Sequence, residues 1–96
     1  METPRETILQ EAQCIMYGDR WEAYGHPADT YATAAGIWSA ILKTTVTPEQ
    51  VLLCMVGVKI ARETQAHKHD NIVDIAGFAA CLDEVHKRAA LEQVDE

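Results

Sequence analysis

The stretch from Thr47 to Arg62, TPEQVLLCMVGVKIAR, constrains this chain more than any other. Threonine followed three residues later by glutamine is a capping box, in which each side chain satisfies the other residue's backbone N–H. Pro48 falls at the first helical position, where a missing N–H costs nothing. From Val51 to Val58 the helix is apolar on nearly all sides, and its first charge is Lys59. A helix without a polar face has to be covered all round, which predicts a central, buried helix. The apolar run is far too short to cross a bilayer.

Helices are expected on both sides of it. Thr3-Pro4-Arg5-Glu6 repeats the capping-box pattern and predicts a first helix to about Tyr17, ended by Gly18. Ile8, Leu9, Ala12, Ile15 and Met16 form its apolar stripe. Residues 18–27, GDRWEAYGHP, are the least regular part, with room for a helical turn between the glycines. Pro27 suits the first turn of a second helix, striped by Tyr31, Ala34, Ala35, Trp38, Ile41 and Leu42 and ending near Lys43. After the apolar helix a polar turn, Gln65 to His69, leads to Asp70 as the N-cap of a helix through about Ala90. An acidic, frayed tail follows at about 91–96. No segment alternates as a strand would. The expectation is all-α: a four-helix antiparallel bundle in one domain spanning residues 1–96.

Composition narrows the function classes. Ninety-six residues support one small core, so oligomerisation is a reasonable way to gain more. A net charge of −7 argues against non-specific binding to nucleic acid or anionic membrane, but not against one small nucleotide. The N-terminus lacks an apolar signal core. Cys14, Cys54 and Cys81 fall in apolar helical contexts and read as buried, reduced thiols of a cytoplasmic protein.

Polar chemistry concentrates between Lys59 and Phe78. Lys59 and Arg62 share a helix face and suit phosphate, one as a point charge and one as a fork; an ion pair to Asp74 or Glu63 is the structural alternative. Asp70 and Asp74 lie one turn apart where the helix dipole favours anions, and two aligned carboxylates could hold Mg²⁺; the simpler and favoured reading is an N-cap at Asp70 and a first-turn acid at Asp74. His67 and His69 read as exposed turn residues. Arg20, Trp21 and Tyr24, with Gly25 and His26, suit stacking a base, or else plug the top of the bundle. No nucleophile has a base beside it, so no catalytic residue is assigned.

Together these segments resemble a family of small proteins common in phages and prophages. The shared signature is R-x-x-x-Y-G-[DH]-P, a W-S helix, K-[IL]-A-R and D-x-x-x-D-[IL]-A-G-[YF]. Here it falls on Arg20, Tyr24, Gly25, Pro27, Trp38, Lys59, Arg62, Asp70, Asp74, Gly77 and Phe78, within roughly residues 8–86. More distantly, the helical order is similar to MazG-type all-α nucleoside triphosphate pyrophosphohydrolases. That resemblance implies dimers or tetramers, and Mg²⁺ held by E-x-x-E and E-x-x-D motifs for cleavage between the α- and β-phosphates. Asp70 and Asp74 stand where the second motif would be, spaced by four rather than three, and no E-x-x-E precedes them.

The functional expectation is a homo-oligomer, dimer or higher, that binds a nucleotide-type small molecule. Arg20, Lys59 and Arg62 would take phosphates and Trp21 and Tyr24 would line the base. Asp70 and Asp74 would orient the cations, contact ribose or hold Mg²⁺. Sequestration of a host nucleotide immune signal is favoured over MazG-like hydrolysis, and a purely structural bundle is the third possibility.

Overall fold

Two helix caps show how local chemistry sets the frame of this chain, whose computed structural model describes residues 7–94. Thr47 and Gln50 form the expected box: the Gln50 N–H donates to the Thr47 hydroxyl at 3.2 Å, and the Thr47 N–H to Gln50 Oε1 at 2.9 Å. A second box joins Thr7 and Gln10 at 3.1 and 2.8 Å and starts the first helix at Ile8. The box expected at Thr3 lies outside the described residues.

The elements are α1 (Ile8–Cys14), a π-helical turn (Ile15–Asp19), α2 (Arg20–Tyr24), α3 (Pro27–Leu42), α4 (Pro48–Gln65) and α5 (His69–Val94). Because α1, the π turn and α2 are continuous, the described residues make four helical rods and contain no strand. Each connection between rods is short, as an antiparallel arrangement of neighbours requires.

Three boundaries depart from expectation. Gly18 does not end the first rod. It sits inside the π turn, where the Arg20 N–H bonds the Ile15 carbonyl five residues back, and the rod runs on to Gly25. Gly25 supplies the stop because its φ of 77° is open to glycine without strain. Asp70 is not the N-cap of α5 but lies in its first turn, since the helix starts at His69 and the Asn71 N–H bonds the Lys68 carbonyl at 3.0 Å. At the far end α5 stays helical through Val94, beyond Ala90 and into the segment expected to fray.

Pro27 opens α3, as expected, with His26 as N-cap: its Nδ1 accepts from the Ala28 N–H at 2.9 Å. Lys43 closes α3 in the left-handed region, and Ser39 then anchors the connection, accepting from the Val46 N–H at 2.8 Å and donating to the Ala35 carbonyl at 2.7 Å.

The central helix is α5, not α4. It packs against α1, the π turn, α3 and α4, and buries Val73, Val85 and Asn71. α4 buries Val51 and Leu52 but leaves Leu53, Cys54, Val58 and Ile60 exposed. Other stripe positions are also open: Leu9 is 74% exposed and Ile41 71%. Cys14 and Cys54 are exposed as well, so two of the three thiols are not buried as expected. An all-round apolar sequence calls for cover; which surfaces a single chain covers is decided by the other helices. The core is correspondingly thin, consisting of Ala12, Met16, Ala35, Val51, Leu52, Val73 and Val85.

Leu52, at 0% exposure, should therefore dominate stability. Leu52→Ala is expected to cost about 2–5 kcal/mol in urea denaturation. Leu91→Ala on α5, at 67% exposure, should stay within about 0.5 kcal/mol of the parent.

Candidate functional site

The α4–α5 hairpin is held by two carboxylates. Asp74 Oδ2 meets Lys59 Nζ at 2.8 Å, with the two side chains 27% and 15% exposed. This is the pairing that served as the structural alternative for Lys59. Glu63 closes the turn: its carboxylate accepts from the Lys68 N–H at 3.0 Å, from Asn71 Nδ2 at 3.1 Å and from the His67 ring. Those hydrogen bonds, led by the one from His67, hold its pKa down at about 2. Asn71 is buried, so the bond to Glu63 also satisfies an amide that would otherwise be stranded. His69 reaches across to Glu11 at 2.6 Å and ties the start of α5 to α1.

The hairpin frames an open polar groove of about 500 Å³. Lys59, Arg62, Lys68, Asp70, Asn71 and Asp74 line it. Four of the residues singled out from sequence are thus together in one depression.

The other three gather around the end of the first rod. Beyond the π turn Arg20 remains on the side of Met16, lining the same two recesses with it, and Trp21 and Tyr24 join it in one of them. Arg20, Trp21, Tyr24, Pro27, Thr30 and Tyr31 are among the residues lining a recess of about 230 Å³. Pockets for drug-sized ligands start near about 300 Å³, so this one suits a base-sized fragment. Trp21 is partly a plug: it stacks on Tyr17 with centroids 5.5 Å apart and meets the His26 ring edge-on at 5.0 Å. Tyr17 donates to Glu84 at 3.0 Å, which fixes that stack against α5. Tyr24, 71% exposed, is the freer ring.

A smaller recess of about 50 Å³ is lined by Arg20, Tyr31, Asp74, Gly77 and Phe78, among others, and so shares Asp74 with the groove and Arg20 and Tyr31 with the first recess. The three recesses thus adjoin through shared lining residues, and together they make up the cleft. Tyr31 and Cys81 line it too and were missed, because on α3 and α5 they fall in apolar stripes that look like core. Burial pushes the Cys81 thiol above its ordinary range, against the opposing pull of the Arg20 guanidinium. A thiol held neutral is a poor nucleophile. Burial likewise raises the Tyr31 phenol.

The cations differ in availability. Lys59 is paired, whereas among the described residues neither Arg20 nor Arg62 lies within ion-pair distance of a carboxylate. Among the described residues no three His, Cys, Asp or Glu side chains converge on a common point, and Asp74 already holds Lys59. Mg²⁺ at Asp70 and Asp74 would need phosphate oxygens and water for most of its octahedral shell.

The lowered pKa of Glu63 has a measurable consequence. Its carboxylate contributes stability that is complete above its unfolded value of 4.5 and is lost as pH falls towards about 2. Denaturation midpoints are expected to drop over that interval, and Glu63→Gln should be less stable at neutral pH and show a flatter decline.

The chain matches, over residues 7–86, the family described as Domain of unknown function (DUF6378). It is 34% identical over 83 residues to the Gene 55 protein of Mycobacterium phage D29, covering 85% of this chain and 55% of that protein. It is 36% identical over 81 residues to the Gene 55 protein of Mycobacterium phage L5, covering 82% and 52%. The chain thus spans about half the length of these curated relatives. No solved structure matches it. Since the matched region runs from the Thr7 cap to His86 and takes in every residue that lines the cleft, the chain belongs to the DUF6378 family and is of phage type.

Proposed function

We propose that this protein binds a nucleotide-type phosphorylated small molecule along the cleft between Tyr24 and Arg62. The observation that carries the reading is that Arg20 and Arg62, with no carboxylate partner among the described residues, line recesses that meet at Asp74. In a chain of net charge −7, two unpaired guanidinium groups along one cleft favour an anion from outside the chain. Arg62, Lys59 and Lys68 suit phosphates, and Arg20 a further phosphate or the edge of a base. Tyr24 and the free side of Trp21 suit the base itself, while Asp70 and Asp74 orient the cations or meet ribose hydroxyls.

In this reading the protein sequesters its ligand, such as a nucleotide signal in the cytoplasm of an infected host, and works as a homo-oligomer. Retention is favoured over turnover because the cleft offers neither a convergent acidic trio nor an activated nucleophile. Mg²⁺-dependent, MazG-like pyrophosphohydrolysis is the second reading. Its support is that Asp70 and Asp74 line the same groove as the cations, where phosphate oxygens could complete a metal shell.

Incubation with a nucleotide panel and Mg²⁺, followed by analysis of products and of ligand recovered on denaturation, separates the readings. Intact recovered ligand is the expected result. Monophosphate with pyrophosphate would favour the enzyme, and neither retention nor turnover would leave a structural bundle. Arg20→Ala and Arg62→Ala should each weaken retention by roughly tenfold to a hundredfold, the worth of a charge-assisted hydrogen bond. Lys87→Ala, away from the cleft, should leave it unchanged.

A further inference from the structure

Glu84 is a carboxylate of α5 that the cleft does not use. It lines none of the three recesses. Yet its side chain is only 16% exposed, whereas Asp83 beside it is 64% exposed and pairs with Lys87 at the surface. Withdrawing a carboxylate from water costs free energy unless its oxygens are engaged. Both oxygens of Glu84 are. Oε1 accepts from the Tyr17 hydroxyl at 3.0 Å, with Lys87 Nζ at 3.7 Å. Oε2 lies 3.8 Å from His26 Nε2. That nitrogen carries the proton of the neutral ring, because Nδ1 is committed to accepting from the Ala28 N–H. The distance is long for a hydrogen bond, but the charge of the carboxylate still attracts an N–H turned towards it.

Tyr17 and His26 bracket α2, one before it and one after. α2 has five residues, too few to persist as a helix without support from outside. Its backbone packs on the π turn and on α3, and not on α5. Trp21 stands between the two bracketing rings, stacked on Tyr17 at 5.5 Å and met edge-on by His26 at 5.0 Å. Trp21, Tyr24, Gly25 and Pro27 in turn wall the larger recess, to which α5 contributes Cys81. One carboxylate thus holds both of the rings that hold Trp21.

We propose that Glu84 is a positioning residue for this recess. Acting through Tyr17 and His26, and without touching a ligand, it fastens the α2 corner over α5 and fixes Trp21 as the wall against which a base lies. Its part in recognition rests on the nucleotide reading of the cleft; its hold on Trp21 does not. Glu84 then matters to the base and not to the phosphates, which the groove around Arg62 and Lys68 takes.

Trp38→Phe leaves Trp21 as the only tryptophan, so acrylamide quenching of its fluorescence reads the wall directly. In that background Glu84→Ala should raise the quenching and Asp83→Ala should not, with circular dichroism checking that the variants stay helical. Tyr17→Phe, which keeps the stacked ring and removes only the hydroxyl, should shift quenching in the same direction as Glu84→Ala. Glu84→Gln, which keeps an oxygen for that hydroxyl, should stay closer to the parent. Calorimetric titration with ATP and with inorganic pyrophosphate adds the binding arm. Glu84→Ala should weaken ATP roughly tenfold, one decade in Kd, and leave pyrophosphate unchanged. A general loss of structure would weaken both ligands alike, and that outcome would overturn the proposal. So would Trp21 quenching that neither Glu84→Ala nor Tyr17→Phe alters. A parent that binds neither ATP nor pyrophosphate would contradict the proposed function instead, and the quenching would still decide whether Glu84 holds Trp21.

Discussion

The Lys59–Asp74 ion pair governs what the α4–α5 hairpin can offer. At 2.8 Å and only partly exposed, it locks the last turns of α4 to the first turns of α5. Its energy is modest in itself, since two charges leave water to make it, but breaking it from one side strands the other. The pair neutralises one cation and one acid of the cleft, and so leaves Arg62 and Asp70 as the groups turned outward to solvent. Glu63 does the complementary task at the turn, where one carboxylate holds a backbone N–H, an amide and an imidazole. Both carboxylates are structural first. Attention therefore moves from the acids to Arg20 and Arg62, which have no carboxylate partner among the described residues.

The second constraint is the π turn. One extra residue in the first rod carries Gly18 through the helix rather than past its end, and aims Arg20 at the recess it shares with Tyr31 and Asp74. Trp21 illustrates the division of labour: one side rests on Tyr17, which Glu84 anchors, and its position serves the recess as a wall.

Features set by neighbouring residues were legible in the sequence. The Thr47–Gln50 box, Pro27 at the start of α3 and the stop near Lys43 all depend on side chains within a few positions of one another. The two polar clusters were legible too, because Lys59, Arg62, Asp70 and Asp74 are placed by helical spacing across one short turn. What escaped depends on tertiary arrangement. Apolar character all round α4 speaks of cover without saying what supplies it, and the centre of this chain is α5. Tyr31 and Cys81 look like stripe residues, and only the approach of Arg20 from another helix makes them cleft residues. The π turn has no short-range signature comparable to a capping box, so Gly18 read as a stop.

The proposed ligand is a single molecule that engages both ends of the cleft through Arg20 and Arg62. The most direct measurement follows the side-chain Nε–H resonances of the arginines by NMR during a nucleotide titration. The expected result is that the Arg20 and Arg62 signals shift together with one apparent Kd, while Arg88, which faces Asp29 at 3.2 Å outside the cleft, stays in place. Arginine resonances that stay unperturbed by every nucleotide, or Arg20 and Arg62 responding to different ligands at different concentrations, would contradict it.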